Sequence, residues 1–200
     1  MRLLLCLLVG LVLAPAARGA EPATAILSGG CFWCTEKDFD HVDGVLETTS
    51  GYIGGKFPNP TYQSHVAGGD LEAVQVTFDP DLISYRELVD IYWRTVDVTD
   101  DGGQFCDRGN SYRTTVWVLD DAQRADAEAS KADAEAALGA PIVTRILDAP
   151  EFWPAEEYHQ DYYLKNPLRY RYYRFACGRD RRIQEVWGDE AMRGVQQESS

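Results

Sequence analysis

The stretch Ala23-Thr24-Ala25-Ile26-Leu27-Ser28-Gly29-Gly30-Cys31-Phe32-Trp33-Cys34 decides how this chain is read. Ala23 to Leu27 is short, apolar and partly β-branched, the pattern of a buried strand, and Gly29-Gly30 supplies a tight turn. From Cys31 to Phe39 the spacing predicts a helix, and Gly44 punctuates its end. A strand, two glycines and a helix start put Cys31 where backbone N–H groups are unpaired and the helix dipole is positive. Such a setting favours thiolate over thiol, which a nucleophilic cysteine needs. Phe32 and Trp33 are out of place at a solvent-facing helix start unless they line a small apolar pocket. A buried cysteine between two core aromatics is the bland alternative; the whole run at a strand-to-helix turn favours the reactive one.

Outward from this motif, Val45 to Tyr52 predicts a second strand, and Gly54 to Pro60 a loop. Ala73 to Phe78 alternates apolar and polar residues as a half-buried strand does, and Asp79-Pro80 stops it. Tyr85 to Val96 has helical period, and Asp97 to Asn110 is an Asp- and Gly-rich loop. Thr114 to Leu119 predicts a strand, Asp120 to Leu138 a solvated Ala/Glu-rich helix, and Ile142 to Leu147 another strand. Trp153 to Asn166 predicts a helix, and the last thirty residues form an irregular, aromatic-rich tail. The β-α-β-β-α-β order implies one α/β (α+β) two-layer sandwich with a ferredoxin-like split βαβ core. That motif serves many functions, so the fold alone assigns none.

Two hundred residues suffice for one domain and its core, and no linker divides them. A hydrophobic share of 45% with 26% charged residues excludes a disordered chain, a collagen-like repeat and a polytopic membrane protein. The net charge of −13 argues against nucleic acid and anionic membrane surfaces as partners. Residues 1–20 read as a secretory signal peptide: Arg2, the apolar run Leu3–Leu13, then small residues and Pro15. The run is too short to span a bilayer, which takes about 20 residues. Cleavage is expected after Ala16 or Ala20, leaving residues 21–200 as a single exported domain, periplasmic or secreted, without stable membrane insertion. Cys6 leaves with the signal. Export puts Cys31, Cys34, Cys106 and Cys177 in an oxidising compartment, so they form structural bridges or are kept reduced for work.

Gly30-Cys31-Phe32-Trp33 resembles the signature of the A-class peptide methionine sulfoxide reductases. Further blocks follow in the family's order. They are Gly51-Tyr52-Ile53-Gly54-Gly55 with Asn59-Pro60-Thr61-Tyr62, then Glu72-Ala73-Val74 with Phe78-Asp79-Pro80. Asp107-Arg108-Gly109-Asn110-Ser111-Tyr112-Arg113 and Glu157-Tyr158-His159-Gln160 with Lys165-Asn166-Pro167 complete them. The resemblance spans roughly Thr24 to Asn166. One departure is Gly69-Asp70-Leu71-Glu72, where the family usually has Gly-His-Ala-Glu after a longer loop.

This resemblance implies that Cys31 attacks the sulfoxide sulfur of oxidised methionine, free or in proteins, to give methionine. Glu72 matches the general acid, which needs a raised pKa to donate near neutral pH. Tyr62 and Tyr112 match hydroxyls that bond the sulfoxide oxygen, Asp107 matches a polar orienting residue, and Phe32 and Trp33 would hold the S-methyl group. Attack leaves a sulfenic acid on Cys31 that a second thiol must resolve. Cys177 is the first choice because it lies where the family often keeps its resolving cysteines. Cys34, at i+3 and within disulfide range, is the alternative, and Cys106 follows. The disulfide would be reduced by a thioredoxin-like protein or a dithiol, with no cofactor and no metal, in a monomer. His41, His65 and His159 read as surface or core residues, and a lone C-x₂-C argues against zinc. Tyr170, Tyr172, Tyr173 and Phe175 read as tail packing. Two rivals stand: a thiol-disulfide oxidoreductase using Cys31 and Cys34, and a non-enzymatic domain with two structural bridges.

Overall fold

A computed structural model describes residues 19–196. The run Leu3–Leu13, Cys6 and the Ala16 cleavage position lie outside the described residues. Along the chain come β1 (Ala23–Ser28), α1 (Phe32–Phe39), β2 (Val45–Ile53), α2 (His65–Gly68), β3 (Leu71–Phe78) and α3 (Tyr85–Trp93). A small hairpin of β4 (Gly103–Gln104) and β5 (Asp107–Arg108) follows, then a 3₁₀ turn (Asn110–Tyr112), β6 (Thr115–Val118) and α4 (Asp121–Leu138). The rest holds β7 (Arg145–Asp148), β8 (Phe152–Pro154), α5 (Tyr162–Lys165), α6 (Pro167–Cys177) and α7 (Arg179–Trp187).

Six strands form one sheet in the order β7-β6-β1-β3-β2-β8. Only β6 and β7 run parallel; β1 pairs antiparallel with β3 and β6, as β2 does with β3 and β8. Side chains alternate across this sheet as period two requires. Ala25, Leu27, Val74, Val76 and Phe78 join the main core with Phe39, Leu88 and Trp93 from α1 and α3. Ile26, Ile53, Leu71, Ala73 and Trp117 make a smaller cluster apart from it. Helix starts follow local chemistry. Ser84 and Glu87 exchange bonds in a capping box at α3, and Asp120 accepts from the Gln123 N–H at α4.

Several expected elements differ. Trp153 to Asn166 is not one helix: Phe152–Pro154 extends the free edge of β2, with Tyr52 opposite Trp153, and only Tyr162–Lys165 is helical. Gln160 secures the edge, its side chain bonding both the N–H and the carbonyl of Ser50. The tail is not irregular. Pro167 opens α6 at a position that needs no N–H, and Gly178 at φ +69° breaks α6 from α7. Arg174 and Arg179 pin these helices to buried Asp38 of α1, at 2.8 and 3.6 Å. The strand expected over Ile142–Leu147 begins at Arg145, and α3 ends at Trp93, three residues before Val96. Among the described residues no helix is long and apolar enough to cross a membrane.

Candidate active site

Cys31 occupies the N-cap of α1, and its carbonyl accepts from the N–H groups of Cys34 and Thr35 at 3.1 and 3.3 Å. The turn before it needs glycine: Gly30 sits at φ +83°, and a Cβ there would meet Gln104 Cβ at 2.6 Å. Phe32 turns wholly inward, and Trp33 stacks on Tyr162 with centroids 3.6 Å apart and planes 6° apart. The indole N–H of Trp33 donates to His159 Nδ1 at 3.0 Å, which fixes that ring nitrogen as an acceptor.

Glu72 reaches the site from β3, opposite Tyr52 of β2. It is 2% exposed, and its Oε2 accepts from the Phe32 N–H at 2.9 Å. Burial pushes its carboxyl up to about 8, so it is largely protonated at neutral pH. Buried His65 stands 3.9 Å from the other carboxyl oxygen and stacks on Tyr52. Its Nδ1 lies 2.9 Å from the Tyr62 carbonyl, which can only accept, so Nδ1 carries a proton. Glu156 holds the same loop, accepting from the Tyr62 N–H at 3.0 Å and from the Tyr52 hydroxyl at 2.9 Å.

Cys31, Phe32, Trp33, Tyr62, Glu72, Asp107, Tyr112 and Tyr173 enclose a cavity of about 70 Å³. The structure thus brings together every residue the sequence singled out as nucleophile, acid, oxygen-binding hydroxyl or methyl contact. Burial raises the pKa of both Tyr62 and Tyr112, keeping their hydroxyls as donors, and raises that of Asp107 as well. A larger surface hollow of about 660 Å³, walled by Tyr163, Pro167, Tyr170, Arg174 and Phe175, touches neither free thiol nor Glu72. Shape alone would therefore choose the wrong site; the chemistry lies in the small cavity.

Cys31 and Cys34 are both free, buried and within hydrogen-bonding reach of each other. Burial pushes the Cys31 thiol well up, so the helix start does not by itself make it a thiolate. The Cys31 thiol's hydrogen bond, then the charges of Arg179 and Arg174, draw Cys34 down to about 7. At neutral pH the pair shares one proton and carries one negative charge between two sulfurs. Cys177, the first choice for resolving thiol, is instead bridged to Cys106, with Cα atoms 4.9 Å apart. A second bridge between Cys31 and Cys34 is not formed, which contradicts the non-enzymatic reading.

Three residues gain importance that the sequence reading had withheld. Tyr173 is not mere tail packing: its hydroxyl donates to Asp107, it reaches Cys31, and it meets Trp33 edge-on. His65 and His159 are buried among the site's aromatic rings. No local pattern marks a histidine as buried, and Tyr173 could be found only once α6 was recognised as a helix. Cys106, Asp107 and Cys177 are close enough to share a metal ion, with ligand atoms within 4.8 Å, but both sulfurs belong to the bridge.

The family model of peptide methionine sulfoxide reductase matches residues 23–191. Peptide methionine sulfoxide reductase MsrA 2 of Rhizobium meliloti is 56% identical over 195 residues, covering 98% of each chain. Among solved structures, Mxr1 from Saccharomyces cerevisiae in reduced form superposes with a TM-score of 0.69 at 32% identity, covering 77% of this chain and 88% of its own. Mxr1 has also been solved in complex with Trx2; that structure superposes at 0.53 and 24% identity, covering 74% and 91%.

Proposed function

The chain belongs to the peptide methionine sulfoxide reductase family, and from that premise we propose how its own residues reduce methionine sulfoxide to methionine. The sulfoxide enters the cavity with its S-methyl group against Phe32 and Trp33, and its oxygen toward Tyr62, Tyr112 and Glu72. The sulfur of Cys31, deprotonated within the Cys31–Cys34 couple, attacks the sulfoxide sulfur. Glu72 gives its proton to the departing oxygen. The products are methionine and a sulfenic acid on Cys31. Cys34 then attacks that sulfenic sulfur, water leaves, and a Cys31–Cys34 disulfide closes. Two thiols supply both electrons, so the balance calls on no cofactor.

Free Cys34 lies beside Cys31 while Cys177 is tied to Cys106, so the resolving role passes to Cys34. The observation that carries the whole reading is a free, buried thiol pair at a cavity whose carboxyl is protonated near neutral pH. A pair only 6% and 2% exposed is poorly placed to exchange with protein disulfides, which counts against the thiol-disulfide rival. A thioredoxin-like dithiol protein is the proposed electron donor; the support is that Mxr1 has been solved with Trx2. The S epimer is the proposed substrate, free or in proteins, and the working form a monomer.

We further read the four central strands as a ferredoxin-like split βαβ unit. The support is their order, β6-β1-β3-β2, with every neighbour antiparallel. Arg2 and the run Leu3–Leu13 support export, with periplasm or exterior as the destination. The decisive experiment for the reaction is intact mass after one equivalent of methionine sulfoxide without reductant. One methionine formed and two hydrogens lost from the protein are expected. No methionine would end this reading.

A further inference from the structure

We propose that Cys106 and Cys177 are a second redox couple, the port through which an external dithiol protein returns electrons to Cys31 and Cys34. The proposal rests on the reading of the inner pair given above and adds the route of its recycling.

Access divides the four cysteines into two couples. The inner sulfurs lie at 6% and 2% exposure around a cavity of about 70 Å³. Disulfide exchange needs the attacking thiolate to reach a sulfur directly, so access governs the rate. A protein dithiol is far too large to enter that cavity. The outer bridge is different: Cys106 is exposed and Cys177 half-buried. It offers a sulfur that another protein can touch.

The outer couple is also joined to the inner one on both of its strands. Cys106 immediately precedes Asp107, which lines the cavity. Cys177 stands one helical turn after Tyr173 on α6, and Tyr173 touches both Asp107 and Cys31. The segment bearing Cys106 is the tip of the β4–β5 hairpin, between Gly103 at φ +138° and Gly109 at φ +112°. Phe105 next to Cys106 is held at φ +55°, a conformation a bulky residue adopts at a cost. Opening the bridge removes the covalent tie that holds this tip against α6, and relaxation of Phe105 then favours movement of Cys106.

The electrons balance over two exchanges. A donor dithiol first reduces the bridge to two thiols and becomes a disulfide itself. The Cys106 thiolate then attacks Cys31 of the inner disulfide and expels Cys34, the sulfur drawn to the lower pKa and hence the better leaving group. Cys177 attacks the mixed disulfide at Cys106 and frees Cys31. Two electrons and two protons have passed inward, and the outer bridge is closed again.

Stoichiometry tests this. The full chain is reduced at all four thiols, freed of reductant and given excess methionine sulfoxide. Two methionines per protein are expected, against one when the outer bridge is left closed beforehand. A yield of one, with Cys106 and Cys177 still open to alkylation, would overturn the proposal; no methionine in either state would instead overturn the reaction itself. In the C106S/C177S variant the yield of the reduced protein should fall to one. Its turnover with thioredoxin, divided by its turnover with dithiothreitol, should drop at least tenfold. An unchanged ratio would likewise overturn the port. Taking the ratio cancels any general loss from altered packing, and the wild-type yield stands even if the variant does not fold.

Discussion

Glu72 can act as an acid only while it holds its proton, and the thiol couple can attack only after losing one. The carboxyl titrates at about 8 and the couple's first proton leaves at about 7. The first-turnover rate should therefore rise through about pH 7 and fall through about pH 8, leaving a narrow maximum between them. Glu72→Gln should lower that rate by about 10²–10⁴ and abolish the falling limb. Rapid-quench measurement of methionine across this range checks both, and a falling limb that survives in the variant would assign the acid elsewhere. Cys31→Ser should form no methionine at all, because an unactivated hydroxyl cannot replace the sulfur. At this scale the sequence exposed Cys31, Glu72 and the two tyrosines because each sits in a motif with a chemical purpose. His65 and His159 stayed hidden, since their burial is made by β3 and by the segment after β8, far along the chain.

Helix α1 carries more than the nucleophile. Its Glu36 is 1% exposed, one of its oxygens has no hydrogen-bond partner, and burial lifts its pKa to about 7. A carboxyl whose folded pKa lies above its unfolded one takes up a proton on folding. Stability is then greatest below about pH 4.3, its unfolded value, and is lost as pH rises to about 7. Glu36→Gln should remove that loss. The expected gain is on the order of 2–3 kcal/mol at pH 8 and smaller at pH 5. Urea unfolding at the two pH values measures it; an equal gain at both would place the effect in packing instead. The β1–α1 unit was legible because alternation, two glycines and a helix start agree. The edge strand Phe152–Pro154 was not, because what makes it a strand is the free edge of β2, a hundred residues earlier. Helix α6 escaped notice because Tyr172 and Phe175 lie 75% and 84% exposed, so its apolar residues trace no buried stripe.

Over the whole molecule, the Cys106–Cys177 bridge joins points 71 residues apart and closes a loop that contains β6, α4, β7, β8 and α5. Closing such a loop in the unfolded chain removes entropy equivalent to about 4 kcal/mol of stability, counting only the bridge's effect on the unfolded state. A couple that opens in every catalytic cycle must nevertheless leave the fold intact. The hydrogen-bonded ladder supplies that security: β6, inside the loop, is bonded to β1, outside it, at Ile26–Trp117, Leu27–Val116 and Ser28–Thr115. Arg179 adds a tie independent of sulfur, donating to the carbonyls of Gly29 and Thr95 at 3.1 and 2.8 Å. The reduced chain should keep its sheet and helices by circular dichroism and unfold in a single transition. Its urea midpoint should lie below that of the bridged chain, by up to the equivalent of about 4 kcal/mol. Equal midpoints would show that the bridge adds nothing to stability. Loss of secondary structure on reduction would make the bridge a structural necessity, and no electron could then pass through it in a working enzyme.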